Sequence, residues 1–205
     1  MPRIASRYAI KKTPLDLQKE AMKKIMHMKI ESERLELREI AWKDLENIHA
    51  LYSLPETDEF NTLGIPENIE MTKNHIQSMI ETQNETDRKS FNWKVIRKDI
   101  NIFIGMAGIS LSANRFKLGE IYYELLPSQW GKGYATEVAK TLIKVGFDHF
   151  HLHKVEAGVA TENIRSIRIL EKAGMLREGL RRKILPIRGE WKDNYHYAIV
   201  EDDPR

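Results

Sequence analysis

The stretch SQWGKGYATEVAKTLIKVGF, residues 128–147, constrains this chain more than any other. Gly131 and Gly133 bracket Lys132 immediately before a run with helical apolar spacing, and the run ending at Leu126 reads as a strand. The unit is therefore strand, tight loop, helix. The N–H groups that open a helix have no partners within it, and the helix dipole places about half a positive charge there. Glycine lets a backbone approach a bound group closely, and Lys132 offers a further cation. In outline this is an anion site suited to a pyrophosphate. Neither common phosphate-loop pattern fits. G-x-x-x-x-G-K-[ST] is absent, and Gly131, Gly133 and Thr136 break the spacing G-x-G-x-x-G. Taken alone, the pattern also fits a plain turn that needs glycine.

The elements around this unit follow from periodicity. Residues 34–40 alternate as a strand, and 41–54 and about 69–82 have helical spacing. Three strands are expected at 91–97, 102–111 and 117–126, with Gly105 and Gly108 marking a bulge or close backbone approach. A helix over about 135–150, a strand at 154–161 and a helix at 163–174 ended by Gly174 come next, then a closing antiparallel pair. One crossover helix lies between the strands at 117–126 and 154–161, so those two are expected to be parallel neighbours. The result is an α/β mixture.

Composition sets limits. The chain has 205 residues, is 41% hydrophobic and 31% charged, and contains no cysteine. Disulfides, Cys-bound zinc and thiol nucleophiles are excluded, and a reducing cytoplasm is the expected location. No apolar run approaches the ~18 residues of a membrane span, so no membrane is expected as a partner. The net charge of +3 is unevenly placed: residues 1–30 carry eight Lys/Arg against two Asp/Glu. Residues 1–28 are expected to form a basic extension, partly helical from Thr13-Pro14, with the functional domain over 29–205; Met28 is a second candidate start. The arm lacks the aromatic and glycine interleaving of nucleic-acid-binding segments, so nucleic acid is not the expected partner. The histidines of HFHLH, 149–153, straddle a helix end and a strand start, so no metal site is expected.

Three ordered stretches carry a family resemblance. They are ESERLELREIAWKDLENI, GEIYYELLPSQWGKGYATEVAKTLIKVGF and KVEAGVATENIRSIRILEKAGMLREGLRR. Together they resemble the GNAT superfamily of N-acetyltransferases over about residues 29–200, most closely the RimJ/RimL type that acetylates protein N-termini. The resemblance implies a mixed α+β fold, a central, mostly antiparallel twisted sheet of about six or seven strands flanked by about four helices. It implies acetyl-CoA as cosubstrate, no metal, and an amine acceptor, either a protein N-terminus or a small molecule. A monomer or a homodimer is expected.

By the same resemblance the backbone of Gly131, Lys132, Gly133, Tyr134, Ala135 and Thr136 cradles the pyrophosphate. Gly133 and Ala135 match the family pattern, whereas Trp130 stands where Gln or Arg is usual. Leu125 and Leu126 pair with the pantetheine arm through main-chain groups. Asn163 bonds that arm or serves as a helix N-cap, and both readings stay open. Ser166, one turn on, protonates the leaving thiolate or faces solvent.

Acetyl transfer needs a neutral amine. At pH 7 an α-amine is about 14% neutral and a lysine about 0.04%. Glu120 is the preferred base to take the amine proton, with Glu124 four residues on along the same strand face, and Glu162, as alternatives. Tyr122 and Tyr123 read as packing residues. Two other functions stay open: an acyl-CoA-binding or sensing module without a working base, and an interaction protein using its basic arm.

Overall fold

A computed structural model describes residues 30–204. The helix expected from Thr13-Pro14 lies outside them. Eight strands form one sheet in the order β1-β2-β3-β4-β5-β6-β8-β7. They are β1 (Ile30–Glu31), β2 (Leu35–Glu39), β3 (Ser90–Arg97), β4 (Ile102–Leu111), β5 (Leu118–Leu125), β6 (Lys154–Ala160), β7 (Leu176–Ile187) and β8 (Glu190–Val200). Five helices accompany them: α1 (Leu45–Tyr52), α2 (Pro55–Asp58), α3 (Ile69–Glu81), α4 (Tyr134–Asp148) and α5 (Ile164–Lys172). The sequence reading lacks β1 and α2. Each is under one and a half turns or a single pair of residues, too short to show a period.

Every strand pair is antiparallel except β5 with β6, as the crossover through α4 requires. Two apolar clusters sandwich the sheet. Ala107 and Ile109 of β4 join Val138 and Leu142 of α4 in the larger one. Met106, of opposite parity on the same strand, joins Ile48 and Leu51 of α1 and Ile76 of α3 in the smaller. Each of the buried Val, Leu, Ile and Met side chains among these contributes about 1.5–3 kcal/mol relative to exposure. A buried ion pair, Lys94 Nζ to Asp44 at 2.7 Å, ties β3 to the start of α1. Asp44 also accepts from the Ala41 N–H at 2.9 Å, so its charge is doubly satisfied.

Gly105 and Gly108 behave as expected. The β3–β4 register shifts between Val95 and Ile96, opposite Gly105. A Cβ on Gly105 would lie 2.1 Å from the Glu124 carbonyl oxygen, and one on Gly108 would lie 2.3 Å from the Tyr122 ring. Only glycine lets β4 lie this close to β5 there.

The feature that positions the site is where β5 and β6 stop pairing. Their parallel register covers only Leu118, Gly119 and Glu120 against Lys154, Val155 and Glu156. Beyond that, β6 continues along β8 while β5 continues along β4, and a gap opens between them.

Candidate active site

Two cavities meet at this gap. One, about 340 Å³, is lined by β5 residues 121–125, β6 residues 157–160 and the segment around α2, including Thr57, Phe60 and Asn61. The other, about 370 Å³, lies over the glycine loop and the start of α4. Tyr123, Leu125, Asn163, Arg165 and Ser166 border both.

The loop has the geometry an anion cradle needs. Gly131 and Gly133 have φ of 74° and 81°, left-handed values that favour glycine. Gly133 is the N-cap of α4 and offers no side chain, so the first N–H groups of the helix are uncapped. Ala135 and Thr136 line the cavity above them, and Tyr134 is buried beneath Arg34, whose guanidinium carbon is 4.5 Å from the ring centroid. Across the cavity α5 presents Arg165, Arg168 and Lys172, spaced to share one helix face. The donor set fits a diphosphate with an additional phosphate. The sequence reading passed over these three cations, although their spacing is visible in NIRSIRILEK.

Lys132 does not join them. Its ammonium folds back onto the Ser128 carbonyl at 2.7 Å and lines neither cavity, because that nearby acceptor satisfies it locally. Leu126 is also engaged elsewhere: its N–H donates to Ile104 of β4 at 2.9 Å. By strand alternation Tyr123 and Leu125 turn their main-chain groups toward the gap instead. The Leu125 carbonyl there accepts the Trp130 indole N–H at 2.8 Å. Trp130 thus closes the strand end rather than replacing a Gln or Arg in kind. Asn163 does cap its helix, its Oδ1 accepting from Ser166 N–H at 3.0 Å, while the residue still borders both cavities. Ser166 Oγ lies 3.2 Å from the Tyr123 hydroxyl. Burial pushes the Tyr123 pKa up to about 12. Tyr123, read from sequence as packing, is therefore a protonated group at the junction of the cavities.

The carboxylates separate clearly. Glu120 is exposed and sits at the paired end of β5, opposite Ser110 and Glu156. Four residues of strand place it about 13 Å from Glu124, and it lines neither cavity. Glu162 is exposed, 3.7 Å from Lys192, and is likewise outside them. Glu124 lines the gap. Its Oε1 accepts from Asn61 Nδ2 at 2.7 Å, and its buried Oε2 has no partner among the described residues. Burial pushes its pKa up to about 7, against the smaller opposing effect of the Asn61 hydrogen bond. The sequence put Glu120 first, but it carries no sign of burial, which depends on how β5 leaves β6 and brings Glu124 rather than Glu120 to the gap.

The segment over the gap is held from two sides. Arg188, in the β7–β8 turn, donates from Nε to buried Asp58 at 2.7 Å and from Nη2 to the Pro55 carbonyl at 2.9 Å. Arg165 donates to Glu59 at 2.8 Å and lies 4.4 Å over the Trp130 ring. Elsewhere Glu156, Glu178 and His196 place one ligand atom each within 4.8 Å of the others. Lys154 bridges both carboxylates, at 3.2 and 2.6 Å, which makes the group an ion-pair network.

Known proteins match this architecture. Residues 34–176 match the Acetyltransferase (GNAT) domain. An uncharacterised N-acetyltransferase of Bacillus subtilis (strain 168), YoaA, is 33% identical over 172 residues, covering 84% of this chain and 96% of its own. The chain belongs to the GNAT acetyltransferase family, and it is an acetyl-CoA-dependent N-acetyltransferase. Two solved structures share its fold. Spermidine N-acetyltransferase from Vibrio cholerae, in complex with CoA and spermine, is 21% identical with a TM-score of 0.73, covering 84% of this chain and 98% of that one. Ribosomal-protein-S5-alanine acetyltransferase from Vibrio fischeri is 22% identical with a TM-score of 0.73, covering 87% and 99%. Among the described residues no helix is long and apolar enough to cross a membrane.

Proposed function

We propose that the chain acetylates the α-amine of a protein or peptide N-terminus, as the RimJ/RimL type does, with Glu124 taking the amine proton. The observation that carries this reading is the Glu124 carboxyl, which lines the gap with a pKa lifted to about 7. Such a base is under one unit below an α-amine of about 7.8 but more than three below an alkylamine of about 10.4. It can share a proton with the first far more readily than with the second, which argues against polyamine and lysine acceptors.

Acetyl-CoA supplies the acetyl group as a thioester. The uncapped start of α4 and the backbone at Gly131 and Gly133 are suited to its diphosphate, and Arg168 and Lys172 to the remaining phosphate charge. Asn163 and the gap-facing main chain of Tyr123 and Leu125 are suited to the pantetheine arm. A main-chain N–H in that row can stabilise charge developing on the thioester oxygen. The Tyr123 hydroxyl, protonated at neutral pH and paired with Ser166, can donate toward the leaving sulfur.

The test is thiol release from acetyl-CoA with a panel of N-terminal peptides, polyamines and amino sugars. Peptide turnover that exceeds polyamine turnover at pH 7 supports the reading. Preferential turnover of spermidine or an amino sugar would overturn the choice of acceptor.

A further inference from the structure

The base proposed above borders the gap, but neither of its carboxyl oxygens is free to an incoming amine. Glu124 Oε1 accepts from the Asn61 amide, and Oε2 is buried without a partner among the described residues. Proton transfer from an incoming amine needs access to that carboxyl, so the 55–62 segment carrying Asn61 must give way. Besides the Asn61–Glu124 hydrogen bond, two arginines hold the segment, and their attachments differ in kind. The Arg188 attachment reaches a buried carboxylate and a carbonyl, which makes it a fixed anchor. The Arg165 attachment is a single contact between side chains that are 58% and 45% exposed, and such pairs hold weakly.

Arg165 also borders the cavity over the glycine loop, stacked on Trp130, the residue directly before Gly131. A diphosphate there offers a guanidinium more charge and a bidentate geometry that Glu59 does not match. We propose that Arg165 is a positioning residue that exchanges Glu59 for the diphosphate of acetyl-CoA, and that this exchange releases the 59–62 end of the segment and opens Glu124 to the acceptor. The segment pivots at Asp58. Cofactor occupancy in one cavity thereby prepares the other. This inference rests on the reading of the glycine loop as the diphosphate site.

Hydrogen exchange on the full chain, with CoA as the probe, tests it. The released end reports through Asn61, whose N–H is bonded to the Asp58 carbonyl, while Thr57 and Asp58 N–H groups, bonded to the Leu54 carbonyl, report the anchored part. CoA should slow exchange over 131–137 and speed exchange over 59–62 by about threefold or more, with 55–58 unchanged. In Glu59→Gln the 59–62 end should already exchange at the faster rate and respond no further to CoA. Because Arg165 no longer has to leave a carboxylate, Glu59→Gln should also bind CoA a few-fold more tightly, measured by calorimetry. Loss of structure alone would not tighten binding. Protection at 131–137 with unchanged or slowed exchange at 59–62 would overturn the proposal and leave the loop reading intact. No protection at 131–137 would overturn both.

Discussion

Asn61 donates its side-chain amide to Glu124 Oε1 across 2.7 Å, joining a loop beyond α2 to the central strand 63 positions away. The amide stabilises the ionised carboxyl, while burial opposes it more strongly. Asn61→Ala should therefore raise the pKa of Glu124 further. The rising limb of kcat/KM against pH should move upward, measured with a weakly basic amine that stays neutral across the range. An unchanged limb would separate Asn61 from the base.

Glu124→Gln keeps the size of the side chain and removes the carboxylate. Turnover should fall by roughly 10²–10⁴ with acetyl-CoA affinity nearly unchanged. Glu120→Gln should stay close to wild type, since that carboxyl lines neither cavity. Steady-state thiol release on both variants decides the matter. A large loss in Glu120→Gln alone would return the role to it.

The same substitution has a signature in stability. Burial pushes the pKa of Glu124 in the folded chain up to about 7, above the ordinary value of 4.5 that it has when unfolded. Between those values the folded chain holds more protons than the unfolded one, so stability falls as pH rises and levels off above about 7. Glu124→Gln removes that decline. Relative to wild type it should gain stability progressively from pH 4.5 to 7, reaching about 3 kcal/mol at pH 8. Denaturant titrations at several pH values measure this, and a difference independent of pH would contradict it.

Gly131→Val and Gly133→Val should each abolish the thermal shift produced by acetyl-CoA. Space is not the reason at Gly131, where an added Cβ would meet nothing within 4 Å. The reason is the left-handed backbone, which costs a β-branched residue about 1–2 kcal/mol or more and drives the loop into another shape. A preserved thermal shift in both variants would remove the loop from cofactor binding.

A chain beginning at Met28 keeps β1 and both cavities. It should bind acetyl-CoA as the full chain does. A soluble truncation that fails to bind would make the basic arm part of the domain.

The sheet and its crossover were legible because their signals are local. Leu35 and Leu37 alternate, α4 shows a helical face, and Gly174 ends α5 with φ of 93°. The glycine loop was legible because Gly131 and Gly133 are needed for conformation. The carboxylates were not. Glu120 and Glu124 share strand, residue type and face, and they differ only in whether β6 still lies alongside. Lys132 misled for a related reason, since sequence gives a charge but not the carbonyl that captures it. Arg165 gained its meaning from Glu59, 106 positions away.

The sheet is continuous across its middle only through Leu118–Glu120 beside Lys154–Glu156. In mechanical terms it is two stiff plates joined by a short hinge, and α4 is the brace that packs on both β5 and β6. Bending concentrates at the hinge, and the brace sets the angle between the plates. The width of the gap is thus governed from beneath, by buried side chains such as Val138 and Leu142 that touch neither cavity. Changing their volume retunes the site without altering any residue that lines it.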